Sequence, residues 1–107
     1  MEKEIEQIDF AKGDGIVPVI VQDANSKQIL TLAYTNKESL EMTKKTGNSW
    51  FWSRSRNKLW MKGEESGNTQ KVKEILVDCD SDALIYLVEP SGPACHTGQG
   101  TCFHNKM

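Results

Sequence analysis

The chain has 107 residues, of which 37% are hydrophobic and 26% are charged, and its formal net charge is −2 at pH 7. That length fits one domain, residues 1–107, which can bury roughly two-thirds of the surface that its unfolded chain exposes. The small negative charge argues against broad electrostatic binding to nucleic acid or to an anionic membrane.

The N-terminal segment MEKEIEQIDF has no apolar stretch of the kind found in signal peptides. No run in the chain approaches the ~20 apolar residues of a membrane span, so we expect a cytoplasmic protein. Cytosolic thiols stay reduced. Cys79, Cys95 and Cys102 are therefore expected to serve in metal binding or catalysis rather than in disulfides.

The first half of the chain predicts a β-hairpin followed by one helix. The run PVIVQDA, residues 18–24, is rich in strand formers, and ANSK supplies turn residues before a second strand, QILTLAYT. The segment 35–47 carries helix signals at both ends. Thr35 with Glu38 fits a capping box, and Gly47 suits the position after the last helical turn.

The second half of the chain predicts further strands and a C-terminal loop. NSWFWSRS predicts a strand, RNK a turn, and LWMKGEESGN a strand that gives way to an irregular loop. TQKVKEILVDCD and DALIYLVE predict two more strands, and the Gly- and Pro-rich residues 90–107 predict a loop. One helix among five or six strands predicts an α+β fold with a largely antiparallel sheet.

The segment DCDSD, residues 78–82, concentrates three carboxylates and a thiol. If the segment is extended, Asp78, Asp80 and Asp82 point to one face while Cys79 and Ser81 point to the other. A carboxylate face suits magnesium or another hard cation, and a thiolate suits zinc. The alternative is a solvated acidic turn without a metal. An EF-hand loop is excluded, because the sixth position of such a loop lacks the required glycine.

Two cysteines of the C-terminal loop have histidines nearby. His96 follows Cys95 directly, and His104 lies just beyond Cys102. Three cysteine thiolates would leave the fourth zinc position to water, as in a catalytic site, whereas either histidine as a fourth ligand would close the site. Free thiols are the other alternative. His96 has an unperturbed pKa near 6.5, which makes it a candidate general acid or base, although a loop histidine is often simply exposed.

The segment SRSRNKLWMKG, residues 53–63, is strongly basic. Arg54 and Arg56 share a face if the chain is extended, so their paired donors could bind one phosphate. Lys62 and, in the following GEESG, Ser66 would add further donors, and Trp60 could stack on a base. The alternative is a solvated basic edge strand that blocks aggregation, with Trp60 in the core.

Five segments together resemble the phosphoribosyl-AMP cyclohydrolase family of histidine biosynthesis. They are VPVIVQDA, LAYTNKESL, FWSRSRNKLWMKGEESGN, VDCDSDALIYLVE and GPACHTGQGTCF, in the family's order from about residue 15 to residue 103. The resemblance implies a hydrolase that adds water at C6 of the adenine ring in 1-(5-phosphoribosyl)-AMP and opens the N1–C6 bond. Some members carry a following pyrophosphohydrolase domain, but only the cyclohydrolase is expected in this chain.

The resemblance also implies an intertwined homodimer and two metal ions. The implied zinc ligands, shared between the subunits, are Cys79, Cys95 and Cys102. The implied magnesium ligands are Asp78, Asp80 and Asp82. Zinc would lower the pKa of a water molecule, and His96 would carry a proton to or from the tetrahedral intermediate. The expected substrate-binding residues are Arg54, Arg56, Trp60, Lys62 and Ser66.

Three rival functions use the same residues. A zinc-dependent deaminase would attack a free base in the same way, but the chain lacks the H-x-E and P-C-x-x-C signature of those enzymes. A binding module whose zinc only holds a dimer together would close its metal site with a histidine, and it would leave the aspartates unexplained. A cysteine nucleophile paired with His96 is disfavoured, because adjacent residues on an extended chain point apart.

Overall fold

A computed structural model describes residues 3–107, so the first two residues of the N-terminal segment and of the predicted domain 1–107 lie outside it. Two short 3₁₀ turns, Ile5–Gln7 and Ala11–Gly13, precede the regular elements. These are β1 (Val17–Asp23), β2 (Ile29–Thr35), α1 (Lys37–Thr46), β3 (Trp50–Ser53), β4 (Lys58–Met61), β5 (Gln70–Val77) and β6 (Leu84–Pro90). Within the described residues, one α-helix and mostly antiparallel strands confirm the predicted α+β fold.

The strands form a four-stranded sheet of order β2-β1-β6-β5 and a separate β3-β4 hairpin. The predicted β1-β2 hairpin is confirmed, and β5 pairs with β6 in the same antiparallel way. In contrast, β1 and β6 are parallel, with Val19 opposite Leu84 and Asp23 opposite Val88. This central pair joins two strands that are far apart in sequence within one sheet.

The helix begins one residue later than the predicted capping box. Asn36 is the N-cap, and its side-chain oxygen accepts a hydrogen bond from the Ser39 amide at 2.8 Å. Ser39 in turn accepts from the Asn36 amide, also at 2.8 Å. The predicted pair of Thr35 and Glu38 is therefore wrong, because Asn36 competes as an equally good cap at the next position. Gly47 has a φ of 79° and ends the helix as predicted.

The core lies between one face of the main sheet and the layer formed by α1 and the β3-β4 hairpin. Tyr86 of β6 and Phe51 of β3 are almost fully buried, and their ring centroids are 5.9 Å apart. Phe51 also lies 5.0 Å from the half-buried Trp60 of β4. Burial of each large apolar side chain contributes roughly 1.5–3 kcal/mol, so the hairpin is held firmly against the sheet.

Among residues 3–107, no helix has the length and the apolar character needed to cross a lipid bilayer.

Candidate functional site

The segment DCDSD forms the turn between β5 and β6 rather than an extended strand. The amides of Asp82 and Ala83 donate to Oδ1 of Asp78 at 2.9 and 3.1 Å, and Ser81 has a φ of 63°. The two-face geometry of the sequence analysis is therefore wrong, because hydrogen bonds within the segment reverse the chain. The reversal nevertheless brings one oxygen each of Asp78, Asp80 and Asp82 within 4.8 Å of one another.

Lys12, a residue to which the sequence analysis gave no role, contacts two of the three aspartates. Its ammonium lies 2.8 Å from Oδ2 of Asp82 and 3.3 Å from Oδ2 of Asp80. Hydrogen bonds from this ammonium lower the pKa of Asp82 to about 2, while partial desolvation raises the pKa of Asp78. Two of the three carboxylates thus already bind a cationic group, and the hard oxygen donors of all three fit a cation such as Mg²⁺.

The N-terminal segment reaches the acidic turn through the backbone as well. The amide of Asp9 donates to the carbonyl of Ser81 at 2.7 Å, and Nζ of Lys3 donates to the Ser81 hydroxyl. These contacts join residues about seventy positions apart. No spacing or periodicity in the sequence signals them, so sequence reasoning had no means of finding Lys12.

Cys95 lies buried in the C-terminal loop, in surroundings that favour its thiolate. Its Sγ accepts a hydrogen bond from the Thr97 hydroxyl at 3.1 Å and lies 3.9 Å from Nε2 of His104. Hydrogen bonds from Thr97, with smaller contributions from His104 and Cys102, lower the pKa of Cys95 to about 6. Because the thiolate is the form that binds metals, Cys95 is a suitable zinc ligand.

The three cysteines do not come together within one chain. Cys102 is anchored to β2, because its amide donates to the carbonyl of Leu30 at 2.7 Å. Cys79 follows β5, and β2 and β5 are the two opposite edges of the main sheet. Three gaps between strands separate these edges, a distance of about 14 Å. In the described part of the chain, the aspartates are the only three candidate ligands whose donor atoms lie within 4.8 Å of one another.

His96 is exposed in a tight turn that begins at Cys95, where the Gly98 amide donates to the Cys95 carbonyl at 3.0 Å. The imidazole therefore lies on solvent-accessible surface beside a candidate zinc ligand. This position is compatible with proton transfer to a bound molecule, and the role of His96 stays a prediction.

A cleft of about 610 Å³ lies between β2 and the β3-β4 hairpin. It is lined by Leu32, Ala33, Tyr34, Trp52, Ser53, Arg54, Ser55, Arg56 and Trp60. The predicted substrate-binding residues Arg54, Arg56 and Trp60 are thus brought together. Lys62 and Ser66 lie in the segment after β4 and do not line this cleft.

A cleft of this size, with two arginines and aromatic walls, is typical of a site for an anionic small molecule. Carboxylate and thiolate groups suited to metal ions lie on the same compact α+β frame. These features are typical of an enzyme that acts on a small molecule.

Comparison with known proteins identifies the family. The sequence model of phosphoribosyl-AMP cyclohydrolase matches residues 31–104, and the chain belongs to this family. It is 76% identical over its whole length to the phosphoribosyl-AMP cyclohydrolase of Nitrosopumilus maritimus and 75% identical to that of Cenarchaeum symbiosum, covering 99% of each. It is also 62% identical to the histidine biosynthesis bifunctional protein HisIE of Bacillus subtilis, over 94% of this chain and 48% of that protein. The resemblance predicted from the motifs is confirmed.

Proposed function

We propose that this chain hydrolyses the N1–C6 bond of the adenine ring in 1-(5-phosphoribosyl)-AMP, giving the formimino-carboxamide ribotide of L-histidine biosynthesis. One observation carries the proposal: the family match over residues 31–104 includes every site residue predicted from the sequence. The ribosyl group on N1 makes the ring amidinium-like, so that C6 is open to attack by water. The ring opens without loss of ammonia, which separates this reaction from deamination.

Zinc is the cofactor that we propose for the cysteines, with Cys79, Cys95 and Cys102 as its ligands. When bound, zinc would supply a water molecule with a strongly lowered pKa. The low pKa of Cys95 supports this ligand set, because a thiolate present at neutral pH has no proton to lose when a metal binds. His96 would take the proton of the attacking water and return it to N1 as the N1–C6 bond breaks.

The zinc site would be shared between the two subunits of a homodimer. In one chain, Cys79 follows β5 and Cys102 is hydrogen-bonded to β2, at the opposite edge of the sheet. A second copy would therefore have to bring its own Cys79 to the Cys95 and Cys102 of the first. A closed point-group dimer would contain two such sites.

An exposed apolar row on the main sheet supports this homodimer. Leu32, Ile20, Ile85 and Leu76 are neighbours across β2, β1, β6 and β5, on the face opposite the core. Leu32, Ile20 and Leu76 are each 38–48% exposed. A second copy would remove this apolar surface from water. Leu32 also lines the arginine cleft, so the cleft would border the dimer interface.

Magnesium is the ion that we propose for Asp78, Asp80 and Asp82. One oxygen of each carboxylate lies within 4.8 Å of the others, and two of the aspartates, Asp80 and Asp82, already bind a cation, the ammonium of Lys12. A divalent ion would neutralise the aspartates more completely than one ammonium does. Oxygen ligands are also the type that Mg²⁺ prefers.

The arginine cleft would bind the substrate itself. Arg54 and Arg56 would donate to the phosphates, and Trp60 would stack on the purine. Lys62 and Ser66 would add donors from the loop after β4. We further propose that residues 1–107 act as one domain in the cytoplasm, where three thiols stay reduced.

Turnover of phosphoribosyl-AMP, followed by ultraviolet absorbance on metal-stripped protein, tests the function. Addition of zinc and magnesium should restore ring opening, and ammonia should not appear. A folded, zinc-loaded protein without turnover would overturn the proposal and favour a binding module with a structural zinc.

Mixed dimers test the shared site. Cys79→Ser and Cys95→Ser should each abolish turnover, whereas refolding the two variants together should restore about a quarter of it, because half of the dimers would contain one intact site. The matched control combines Cys95→Ser with Cys102→Ser. These two residues would come from the same subunit, so no activity should return. Equal results from the two mixtures would contradict the shared site.

A further inference from the structure

The guanidinium of Arg54 lies over the aromatic ring of Tyr34. Its central carbon is 3.8 Å from the ring centroid, well within the range of a cation–π contact. No carboxylate lies within 4.0 Å of Arg54 among the residues that the structure describes. The ring face is therefore the contact that orients this side chain, and the N–H donors at the edge of the guanidinium stay available.

The two residues differ in how firmly their backbones are held. Tyr34 belongs to β2, an edge strand of the main sheet, and its backbone is held by pairing with Pro18 of β1. Arg54 begins the exposed turn between β3 and β4, which includes Asn57 at a φ of 53°. An arginine in such a turn has many rotamers of similar energy, and ordering it on binding costs conformational entropy.

We propose that Tyr34 is a positioning residue for substrate, which holds Arg54 flat against the cleft wall so that its N–H donors face a phosphate of the bound nucleotide. Tyr34 itself touches no reacting atom and acts through the arginine. The planar guanidinium suits this arrangement, because it can stack through its face while it donates from its edge. The inference rests on the proposed function for the identity of the nucleotide.

The ring of Tyr34, rather than its hydroxyl group, carries this role. Tyr34→Leu should therefore raise KM about 5-fold with little change in kcat, and Tyr34→Phe should restore the KM. Arg54→Lys keeps the charge but loses the planar stack, so it should raise KM in the same way. Because Arg54 is an exposed turn residue, Arg54→Lys is expected to fold normally. It therefore tests the stacked contact even if Tyr34→Leu folds poorly.

Binding of AMP and of adenosine provides a readout that does not depend on turnover. Trp52 and Trp60 line the cleft, so quenching of tryptophan fluorescence can follow both ligands. Tyr34→Leu should weaken AMP about 5-fold and leave adenosine unchanged, because only AMP carries a phosphate. In an Arg54→Ala background, Tyr34→Leu should have no further effect on AMP binding.

Three results would overturn the inference: equal weakening of AMP and adenosine by Tyr34→Leu, a full effect of Tyr34→Leu in the Arg54→Ala background, or wild-type binding that does not distinguish AMP from adenosine. The first two would mean that Tyr34 contacts the base directly. If phosphoribosyl-AMP is not turned over but AMP binding responds as expected, the proposed reaction fails while the role of Tyr34 stands.

Discussion

The ammonium of Lys12 lies 2.8 Å from a carboxylate oxygen of Asp82, a residue 70 positions further along the chain. This contact holds the pKa of Asp82 at about 2, below the usual aspartate value near 3.9. Lys12→Gln should therefore raise the pKa of Asp82 toward that value. A pH titration followed by the carboxyl carbon resonance of Asp82 in metal-free protein would measure the change.

The same contact predicts how the stability of the metal-free protein depends on pH. Because the pKa of Asp82 is lower in the folded chain, its stabilising contribution is present above about pH 4 and is lost as the pH falls toward 2. Lys12→Gln should reduce the amount of stability that is lost between about pH 4 and about pH 2. Lys73→Gln is the matched control, since it removes a charge that contacts Glu89 instead and should leave the Asp82 titration in place. Identical titrations in both variants would contradict the assignment.

Local signals predicted much of this fold, and long-range contacts account for what they missed. The β1-β2 hairpin and the Gly47 helix end follow from neighbouring residues, and both are confirmed. The parallel pairing of β1 with β6 joins distant segments, and no local pattern determines it.

In the candidate site, too, local signals could be read from the sequence and long-range contacts could not. The grouping of the aspartates could be predicted because they lie within five consecutive residues, although the segment that carries them is a turn. Lys12 and Tyr34 approach the site only through tertiary contacts, with Asp82 and Arg54 respectively, so neither could be recognised from spacing. The family motifs predicted the correct family, since several distinctive short matches in a fixed order are together very specific.

Thr97 controls the ionisation of Cys95. Its hydroxyl donates to Sγ at 3.1 Å and is the largest cause of a pKa of about 6, so Cys95 is mainly a thiolate at pH 7. Thr97→Val should raise that pKa toward the usual thiol value near 8.5. The alkylation rate of Cys95 in metal-free protein, located by peptide mass spectrometry over a pH series, would report the shift.

The stability linked to this thiolate has a defined pH window. A lowered folded pKa means that the contribution is present above about pH 8.5 and is lost as the pH falls through about 6. Alkylation of the exposed Cys79 in the same samples is the internal control, because it lies in a different turn. An alkylation profile of Cys95 that Thr97→Val leaves unchanged would rule out the hydroxyl as the cause.

His96 and His104 form a matched pair of variants that separates catalysis from metal binding. His96→Ala should lower kcat by roughly 10²–10⁴-fold while zinc content is retained, because the lost group moves a proton and holds no metal. His104→Ala should also keep its zinc if water fills the fourth position. Zinc content by atomic absorption, measured together with turnover, distinguishes a role in catalysis from a role in metal binding. Loss of zinc in either variant would identify that histidine as the fourth ligand.

Arg54 and Arg56 are expected to act in substrate binding rather than in the chemical step. The double change Arg54→Ala, Arg56→Ala should raise KM by roughly 10²-fold, since hydrogen bonds to charged groups contribute about 1.5–3 kcal/mol each. Lys58→Ala is the control, because this exposed lysine of the same basic segment does not line the cleft. Steady-state kinetics with an unchanged KM in the double variant would argue that the arginines form only a solvated edge.

Gly63 fixes the loop that joins β4 to β5, and its replacement should destabilise the fold. Its φ is +84°, and an added Cβ would lie 2.4 Å from the backbone carbon of Asn68. Gly63→Ala should therefore lower the free energy of unfolding by about 2–4 kcal/mol, from left-handed strain and steric overlap together. Urea unfolding would measure the loss. Gly13→Ala is the matched control, because no heavy atom lies within 4 Å of its added Cβ and its φ is not in the left-handed range. Equal stability of the two variants would mean that the loop rearranges without cost.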